Sequence, residues 1–589
     1  MKKNGIESNS DEQMIMHKHF NVRSGWLPEN GSPSMQKYFK KLLNAERTEL
    51  APCIKKLDEF IEGNPVIKYL VDNACKENEN ILASKLPQIK SDKVPRIKDK
   101  ETLLHTFNAI LKEAPQFINY DLVGLPFSAF VVGIDPTLSG STLFRLPMFN
   151  EKMSAILKEW NTFLASEQSN VGFRKDHEQW LSTAAKEQYD FEIWKKDSET
   201  LPYWKSWNSF FTRQFKDKEI SRPISDPQSN RTVICPNDGS MYRWESNVAR
   251  KDVFWFKDMK YSLSDILSSS KPEQQAVIDE YNLLDIFSGG YIFQTYLNPY
   301  NFHRWWCPVN AEVLFTPFSI PGCFFSKLIL PDFGGATTAS LPYLAEVNAR
   351  GLIVFKTEEY GHVCCIPLGM SEVSSVEFNK DLKKGTKVTK GQEMGMFNYG
   401  GSSFAIIYER LPGKKLIFEN SQGVPYQKDP VLPSGSSGTG GEVTSIGSKI
   451  GVWQTVVPTQ SIDLSVANPN STQQLSMTKN EYVEYNETYK TWALYNKGII
   501  DFQLSIDELV DVELKLDICS ALVGGKANSP ASIRVNGIKV GTLNPQSGNF
   551  KTVKKLINES LLNIGQNIIS INLEDSATGQ LFINKATIN

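Results

Sequence analysis

A serine that follows two glycines lies inside an apolar run and could react with its own backbone. The stretch Met394–Ile406 reads MGMFNYGGSSFAI, so Gly401 and Ser402 interrupt what is otherwise the pattern of a buried strand. A glycine before a serine allows backbone angles that bring the hydroxyl to the preceding carbonyl carbon. Attack there, followed by elimination and hydrolysis, would leave a pyruvoyl group, an electron sink suited to decarboxylation. The alternative is a simple Gly/Ser turn between two strands.

The composition indicates a globular protein of several domains. The chain has 589 residues, of which 64 are basic and 66 acidic, for a formal net charge of -2. This length predicts roughly two to four domains, and the balanced charge argues against nucleic acid as a partner. No apolar run approaches the ~20 residues that span a bilayer. The basic N-terminus lacks the apolar stretch of a secretory signal.

The eight cysteines are scattered and form no CxxC pair. This spacing favours neither a metal site nor a disulfide framework. We therefore predict no metal, and a reducing cytoplasm as the compartment.

Changes in sequence texture predict a multidomain α+β protein. Helical spacing dominates up to about residue 198, short β-like runs follow, and alternating strands with an Asn536-Gly537 hairpin turn fill the C-terminal part. The predicted segments are a polar tail (1–34), an α-helical domain (35–198), a β-rich catalytic domain (199–430), a Gly/Ser linker (431–443) and a β-sandwich (444–589).

Five ordered motifs surround the Gly-Ser pair. They are WNSFFTRQFKDKEISRP from Trp207, CPNDGSM from Cys235, FWFKDMKYSLSDIL from Phe254, LNPYNFHRWWCPVNAEV from Leu297 and KKGTKVTKGQEMGMFNYGGSS from Lys383. Together they resemble the phosphatidylserine decarboxylase family over roughly residues 200 to 428. The helical segment before them resembles the extra domain of a soluble branch that includes fungal-type L-tryptophan decarboxylases.

The resemblance implies a pyruvoyl-dependent decarboxylase that cuts itself between Gly401 and Ser402. Ser402 would be the nucleophile and the precursor of the pyruvoyl cofactor, which binds the substrate amine as a Schiff base. Asp238 matches the aspartate of the family's self-processing triad, although Pro-Asn-Asp-Gly is also an ordinary turn sequence. His303 matches the histidine assigned to decarboxylation.

The sequence departs from the family at one position that matters. The family carries a second histidine three residues after the first, and here that position is Trp306. An indole N–H donates but cannot accept a proton, so Trp306 cannot activate Ser402 as a base. We consider His362, on the strand that leads toward the cleavage site, as a substitute.

The substrate pocket is predicted to contain Trp305, Trp306, Ser403 and Phe404. The resemblance implies an amino acid or a phospholipid head group as substrate, α and β chains after self-cleavage, and a homodimer. With no membrane-anchoring segment in the sequence, we favour a free, aromatic amino acid such as L-tryptophan over phosphatidylserine. The other hypothesis is a member that does not process itself and acts as a binding scaffold.

The C-terminal segment resembles carbohydrate-binding modules. Its aromatic residues could stack on sugar rings, or they could fill the core of the sandwich. They are Trp453, Tyr482, Tyr485, Tyr489 and Trp492. The resemblance implies a glycan as a further partner.

Overall fold

The computed structural model divides the chain into two compact units. The first comprises Met1–Glu409 and Phe418–Val452, and the second comprises Arg410–Ile417 and Trp453–Asn589. The structure describes residues 33–83, 96–118, 121–131, 133–135, 137–251, 261–298, 301–325, 346–370, 372, 375–399, 401–427, 443–457, 460–470, 475–507, 509–521, 529–545 and 549–589.

All the described α-helices lie in the first unit. They are α1 (Pro33–Leu43), α2 (Pro52–Gly63), α3 (Pro65–Ala83), α4 (Lys100–Ile110), α5 (Pro126–Val131), α6 (Leu138–Leu143), α7 (Pro147–Leu164), α8 (Thr183–Gln188), α9 (Trp207–Phe211), α10 (Lys218–Ser221), α11 (Leu263–Ile266), α12 (Pro272–Glu280) and α13 (Leu283–Phe287). Helix α2 buries Ile54, Leu57 and Ile61, the face that the apolar spacing predicts.

The strands up to residue 455 are short and mostly antiparallel. They are β1 (Gln116–Ile118), β2 (Asp121–Val123), β3 (Trp194–Lys195), β4 (Gln214–Phe215), β5 (Thr232–Ile234), β6 (Gly239–Ser246), β7 (Tyr291–Leu297), β8 (Arg304–Trp306), β9 (Ala311–Val313), β10 (Phe318–Ile320), β11 (Arg350–Lys356), β12 (His362–Met370), β13 (Val376–Phe378), β14 (Lys387–Val388), β15 (Glu393–Phe397), β16 (Gly401–Tyr408), β17 (Lys414–Ile417), β18 (Val443–Thr444) and β19 (Lys449–Thr455). Strand β17 belongs to the second unit.

One nine-stranded sheet organises the first unit. Its order is β14-β9-β11-β12-β16-β7-β6-β18, and β10 pairs with β11. One face packs against α11, α12 and α13 through an apolar cluster that includes Leu263, Leu283, Ala405 and Ile407. Strands β13, β15 and β8 form a separate, smaller sheet in that order. Strand β16, which carries the Gly-Ser pair, is therefore central in the large sheet.

The second unit is a β-sandwich. Its further strands are β20 (Gln460–Asp463), β21 (Leu475–Lys479), β22 (Val483–Asn486), β23 (Thr491–Leu494), β24 (Ile499–Ile506), β25 (Val512–Ala521), β26 (Ala531–Val535), β27 (Ile538–Leu543), β28 (Lys551–Ile557), β29 (Gly565–Leu573) and β30 (Gln580–Ile588). One sheet has the order β22-β23-β30-β25-β28 with β20 on β30, and the other has the order β21-β24-β29-β26-β27. Residues of both sheets share one apolar core, among them Phe502, Leu516 and Ile571.

The predicted α+β class with a C-terminal sandwich is confirmed. The hairpin turn also forms as expected, because Asn536 and Gly537 both have positive φ angles of 48° and 85°. Of the five sandwich aromatics, Trp453 and Trp492 are buried, Tyr482 and Tyr485 are half-buried, and Tyr489 is exposed. Trp492 belongs to the apolar core of the sandwich, and packing there accounts for its burial.

Two predicted segment boundaries differ from the structure. Helix α1 begins at Pro33, inside the segment assigned to a tail, whose residues 1–32 lie outside the described part. The predicted sandwich begins at residue 444, yet β18 pairs with β6 and β19 pairs with β5 of the first unit. The chain thus returns to the first unit before it enters the sandwich. The predicted linker lies outside the described residues except for Val443.

No helix in the described part of the chain combines the length and apolar character that crossing a bilayer requires. Among the same residues, no group of three or more His, Cys, Asp or Glu side chains is placed to hold a metal ion.

Candidate active site at the start of strand β16

Ser402 is held at the beginning of a strand that has a neighbour on each side. Strand β16 pairs antiparallel with β12, where Gly369 lies opposite Ser402, and with β7, where Leu297 lies opposite Ser402. The Ser402 side chain is fully buried. Pairing on both edges fixes the strand, so the position of the Ser402 hydroxyl relative to the Gly401 carbonyl is set by the sheet.

Ser402 and Ser403 point to opposite faces of this sheet, because successive side chains of a strand alternate. The Ser403 hydroxyl donates to the Thr295 carbonyl at 2.7 Å and accepts from Gln294 Nε2 at 2.9 Å. Gln294 in turn accepts from the Tyr261 hydroxyl at 2.5 Å. The assignment of Ser403 to the same pocket as Ser402 is therefore wrong: its hydroxyl serves a hydrogen-bond network on the helix-covered face.

The Ser402 hydroxyl has no hydrogen-bond partner among the described residues, and neither has Trp305 Nε1. Aromatic side chains adjoin this region of the sheet. The Trp305 ring lies 6.0 Å from Phe404 and 5.3 Å from Phe397, measured between ring centroids. The Trp305 and Phe404 rings are thus neighbours. That they line a substrate pocket stays a prediction.

Asp238 lies at the same end of the sheet, immediately before β6. Strand β7 lies between β6 and β16. Asp238 is therefore two strand spacings, about 10 Å, from the strand that carries Ser402. Its buried carboxylate accepts two hydrogen bonds from Arg222. Nε donates to Oδ1 at 2.9 Å, and Nη2 donates to Oδ2 at 2.8 Å. The backbone N–H of Ile446 donates to Oδ1 at 2.8 Å. Asp238 is therefore a well-satisfied buried anion.

Arg222 is the positive partner in this pair. Burial by itself would lower the pKa of its guanidinium, but the hydrogen bonds to Asp238 outweigh that effect and raise the pKa. The sequence motif contains Arg222, yet motif reasoning gave it no role. The bidentate geometry with a carboxylate is typical of a charge-assisted pair that fixes orientation as well as charge.

His303 is fully buried and packs against an aromatic ring at a tilt of 30°. Its imidazole lies 4.0 Å from the Phe211 ring, which in turn lies 4.9 Å from Tyr399, three residues before Ser402. The His303 carbonyl accepts from the Phe397 N–H at 2.9 Å. Burial, together with the nearby Arg213 cation, holds the pKa of His303 well below its usual value. The surroundings of His303 therefore favour its neutral form.

Trp306 occupies a different environment from Trp305, because the two side chains leave β8 in opposite directions. The Trp306 ring lies 6.2 Å from Phe215 and 6.0 Å from Phe302, measured between ring centroids. The backbone N–H of Trp306 donates to the Pro236 carbonyl at 2.8 Å. The prediction of one pocket that contains both tryptophans is wrong. Trp306 lies instead beside the backbone that leads to Asp238.

The hypothesis that His362 replaces the missing histidine is wrong on position. His362 starts β12, seven residues before Gly369, the residue opposite Ser402. At about 3.3 Å per residue, the two lie about 23 Å apart along the strand. His362 Nδ1 contacts Glu409 Oε2 at 2.7 Å at the far end of β16.

The helical segment also reaches the cleavage region, which sequence reasoning missed. The buried Glu372 carboxylate, two residues after β12, accepts from the Ser128 N–H at 2.7 Å and from its hydroxyl at 3.1 Å. The Tyr399 hydroxyl donates to the Gly124 carbonyl. These contacts join residues more than 240 positions apart in sequence, and neither a motif nor a spacing indicates them.

Comparison with known proteins identifies this chain as a decarboxylase. The phosphatidylserine decarboxylase family model matches residues 207–427, and a second phosphatidylserine decarboxylase model matches residues 51–189. The chain is similar to decarboxylase iboD of Amanita muscaria, with 30% identity over 48% of this chain and 84% of that protein. It is also similar to L-tryptophan decarboxylase of Psilocybe cubensis, with 28% identity over 52% of this chain and 72% of that protein.

The chain belongs to the phosphatidylserine decarboxylase family. Among solved structures, the CBM36-1 domain of a xylanase from the hindgut metagenome of Trinervitermes trinervoides matches 22% of this chain and 97% of that domain, with 17% identity and a TM-score of 0.18.

The neutral, buried state of His303 predicts that the free energy of unfolding falls as the pH drops below 6.5. In that range the unfolded chain protonates His303 at its usual pKa of 6.5, whereas the folded chain keeps it neutral. The unfolded state then binds more protons, so stability rises with pH by up to about 1.4 kcal/mol per pH unit. Urea unfolding of the wild type and of His303→Asn between pH 5.0 and 7.5 should show a flatter dependence for the variant.

The matched control is His177→Asn, because the His177 side chain is 80% exposed. This variant should keep the wild-type slope. Equal slopes for wild type and His303→Asn would contradict the assignment of a buried neutral imidazole.

Proposed function

We propose that this chain is a proenzyme that cuts itself between Gly401 and Ser402 and becomes a pyruvoyl-dependent decarboxylase. One observation carries the proposal: Ser402 is buried at the start of a doubly paired strand, directly after a glycine, and its hydroxyl has no partner among the described residues. These features suit a serine that attacks the preceding carbonyl. They also fit a pyruvoyl group at position 402, since a buried strand end keeps a ketone away from bulk water.

The self-cleavage proceeds in three balanced steps. The Ser402 oxygen attacks the Gly401 carbonyl carbon, the peptide C–N bond breaks, and the hydroxyl proton ends on the freed nitrogen, which leaves an ester. Loss of the Ser402 α-proton expels the Gly401 carboxylate and leaves a dehydroalanine. Water then adds and ammonia departs, so that residue 402 carries the ketone at the head of the C-terminal piece.

A base must hold the hydroxyl proton during the first step. We assign this role to His303, because an imidazole can accept a proton whereas the indole of Trp306 cannot. Burial and the Arg213 cation lower the pKa of His303 and so make it a weak base. Asp238, fixed by Arg222, supplies a negative charge at the same end of the sheet that stabilises a nearby cation. In this proposal His303 serves both self-cleavage and the later proton transfer to product.

The pyruvoyl group would supply a ketone that holds the substrate amine and takes up the electron pair left when CO2 departs. The protein's part is positioning and exclusion of water. Trp305 and Phe404 provide an apolar wall that disfavours a charged carboxylate and favours its neutral product, CO2. His303 would then return a proton to the product carbon.

The aromatic wall favours an aromatic amino acid over phosphatidylserine as substrate. Rings at 5.3 Å and 6.0 Å from Trp305 form a surface suited to edge and offset contacts with another ring. The similarity to an L-tryptophan decarboxylase over 72% of that protein supports the same class. No such surface is needed to recognise the small polar head group of phosphatidylserine.

A scaffold that never processes itself is the second candidate, and Trp306 favours it. Without a second histidine, the described part of the site offers only His303 as an imidazole base near the cleavage strand. If His303 serves decarboxylation alone, the chain would remain in one piece. The glycan-binding role of the sandwich belongs to this candidate, for which the exposed Tyr489 is the remaining surface aromatic of the five considered.

Purified wild-type protein should consist of two pieces, residues 1–401 and 402–589, and the smaller should react with hydrazine reagents through its pyruvoyl group. Ser402→Ala should remain a single chain of about 66.4 kDa that does not react, because the attacking oxygen is gone. Intact-mass spectrometry before and after hydrazine treatment measures both. An uncut, unreactive wild type would contradict the enzyme and favour the scaffold.

Ser403→Ala is the matched control for this experiment. The Ser403 hydroxyl faces the opposite side of the sheet, so its loss should lower stability by about 1 kcal/mol but leave the cleavage chemistry in place. Absence of cleavage in Ser403→Ala would mean that the wrong serine has been assigned.

Processed protein should release amine from aromatic amino acids at least about ten-fold faster, in kcat/KM, than from phosphatidylserine in vesicles, which corresponds to about 1.4 kcal/mol of transition-state binding. Trp305→Ala should reduce this preference because it removes the aromatic surface. Mass-spectrometric detection of the amine product, with Ser402→Ala as blank, measures it. A preference for phosphatidylserine would contradict the assignment of substrate class.

Trp306→His should shorten the half-time of self-cleavage by about ten-fold or more, because it puts an imidazole, which can accept a proton, where the indole cannot. Trp306→Phe, which adds no acceptor, should not accelerate cleavage. Cell-free synthesis followed by a timed chase and gel electrophoresis gives the half-times. Equal rates in wild type and Trp306→His would show that the missing histidine does not limit processing.

A further inference from the structure

A short segment beyond the family match holds the Asp238 carboxylate in place. The family model ends at residue 427, whereas residues 443–452, here named the return segment, follow the predicted linker. The Ile446 N–H in this segment donates to Asp238 Oδ1 at 2.8 Å. Nothing in the motifs that define the family includes this donor.

The return segment runs antiparallel to the chain on both sides of Asp238. Thr444 pairs with Gly239 immediately after Asp238, and Lys449 pairs with Ile234 before it. Between these points the Gly447 N–H donates to the Cys235 carbonyl at 2.9 Å. The backbone on each side of Asp238 is therefore tied to one continuous stretch of chain.

The same segment supports the partner of Asp238. The Ser225 N–H donates to the Gly447 carbonyl at 2.9 Å, three residues after Arg222. A Cβ at Gly447 would lie 2.9 Å from Ile224 Cδ1 and 3.1 Å from the Pro223 carbonyl oxygen, so the two backbones are in close contact. Arg222 and Asp238 are thus positioned by one segment that touches both of their chains.

We propose that the return segment is a positioning element for self-cleavage, in which the Ile446 N–H and the close contact at Gly447 keep the Asp238–Arg222 pair aligned with the Ser402 end of the sheet. This rests on the proposed function, in which Asp238 stabilises the cation that forms as Ser402 reacts. A buried carboxylate that loses one of its three donors is less well fixed and less well satisfied. Cleavage depends on alignment over short distances, so the rate responds to this loss.

The proposal also gives the segment a place in the processed protein. Asp238 lies in the piece 1–401 and Ile446 in the piece 402–589, so their hydrogen bond joins the two products of the cut. In this proposal Asp238, on the N-terminal piece, is held after the cut by a residue of the C-terminal piece.

Gly447→Ala tests the proposal, with Gly423→Ala as matched control. Both glycines have φ near +80°, but a Cβ at Gly423 meets nothing within 4 Å, whereas one at Gly447 meets Ile224 and Pro223. Both variants carry the same intrinsic backbone strain, and only Gly447→Ala displaces the return segment. In timed cell-free synthesis, Gly447→Ala should cleave about ten-fold or more slowly than wild type, and Gly423→Ala at the wild-type rate.

A double-mutant cycle separates positioning from a general loss of structure. If Gly447 acts through Asp238, Gly447→Ala should slow Asp238→Glu much less than it slows the wild type. Equal slowing in both backgrounds would overturn the proposal. Should Gly447→Ala fail to fold by circular dichroism, replacing Ile446 by its α-hydroxy acid analogue removes only the N–H donor. Wild-type cleavage in that protein would also overturn the proposal.

Cleavage of the wild type distinguishes a failure of the proposed function from a failure of the positioning role. A wild-type chain that never cleaves overturns the proposed function, and this proposal with it. A wild type that cleaves, together with a folded Gly447→Ala that cleaves at the same rate, overturns the positioning role alone.

Discussion

Hydrogen bonding on both edges of β16 is the constraint on which the rest of the site depends. The strand is paired with β12 and β7 along its length, so the register of the sheet decides which side chain meets which face. A slip of one residue would exchange Ser402 for Ser403 and place a different hydroxyl beside Trp305 and Phe404. Because the flanking strands are themselves central in the sheet, such a slip would break many pairs at once. The surroundings of Ser402 are thus specified by the whole sheet and not by the local sequence.

Several charged side chains near this strand are buried, among them Asp238 and Arg213. Asp238 and Arg222 form a buried pair, while Arg213, whose pKa burial lowers to about 10, lies over the aromatic rings of Trp194 and Phe210 and near His303. A buried ion is costly unless it is paired and hydrogen-bonded, and here each charge has specific partners. Burial, and secondarily the Arg213 cation, hold the pKa of His303 well below its usual value. Replacement of the second histidine by Trp306 leaves the aspartate with arginine as its described side-chain partner.

The sequence predicts the helices and strands better than it predicts which residues of different strands lie close together. Apolar spacing is sufficient for the buried face of α2, and Asn536-Gly537 is sufficient for its hairpin, because both depend on neighbours within a few residues. His362 was misjudged because its distance from Ser402 depends on the register between two strands, which spacing along one chain does not contain. Ser403 was misjudged because adjacent residues of a strand have opposite surroundings.

Other parts of the site had no signal to find. The Ile446 donor is a backbone N–H. Every residue except proline has one, so the residue type does not indicate the hydrogen bond. The contact between Glu372 and Ser128 joins positions 244 apart in sequence. Motif resemblance selects Asp238, His303 and Ser402 as predicted site residues, because residue identity is what a motif contains. It gave no account of the groups that hold them.

The crossing of the chain between the two units has a consequence for truncation. Residues 410–417 belong to the sandwich unit, residues 418–452 to the first unit, and residues from 453 onward to the sandwich again. The family match covers residues 207–427 and so includes residues 410–417. A chain cut at the end of that match would lose residues 443–452 of the first unit and would leave residues 410–417 without the rest of the unit to which they belong. No single cut of the chain separates the two units.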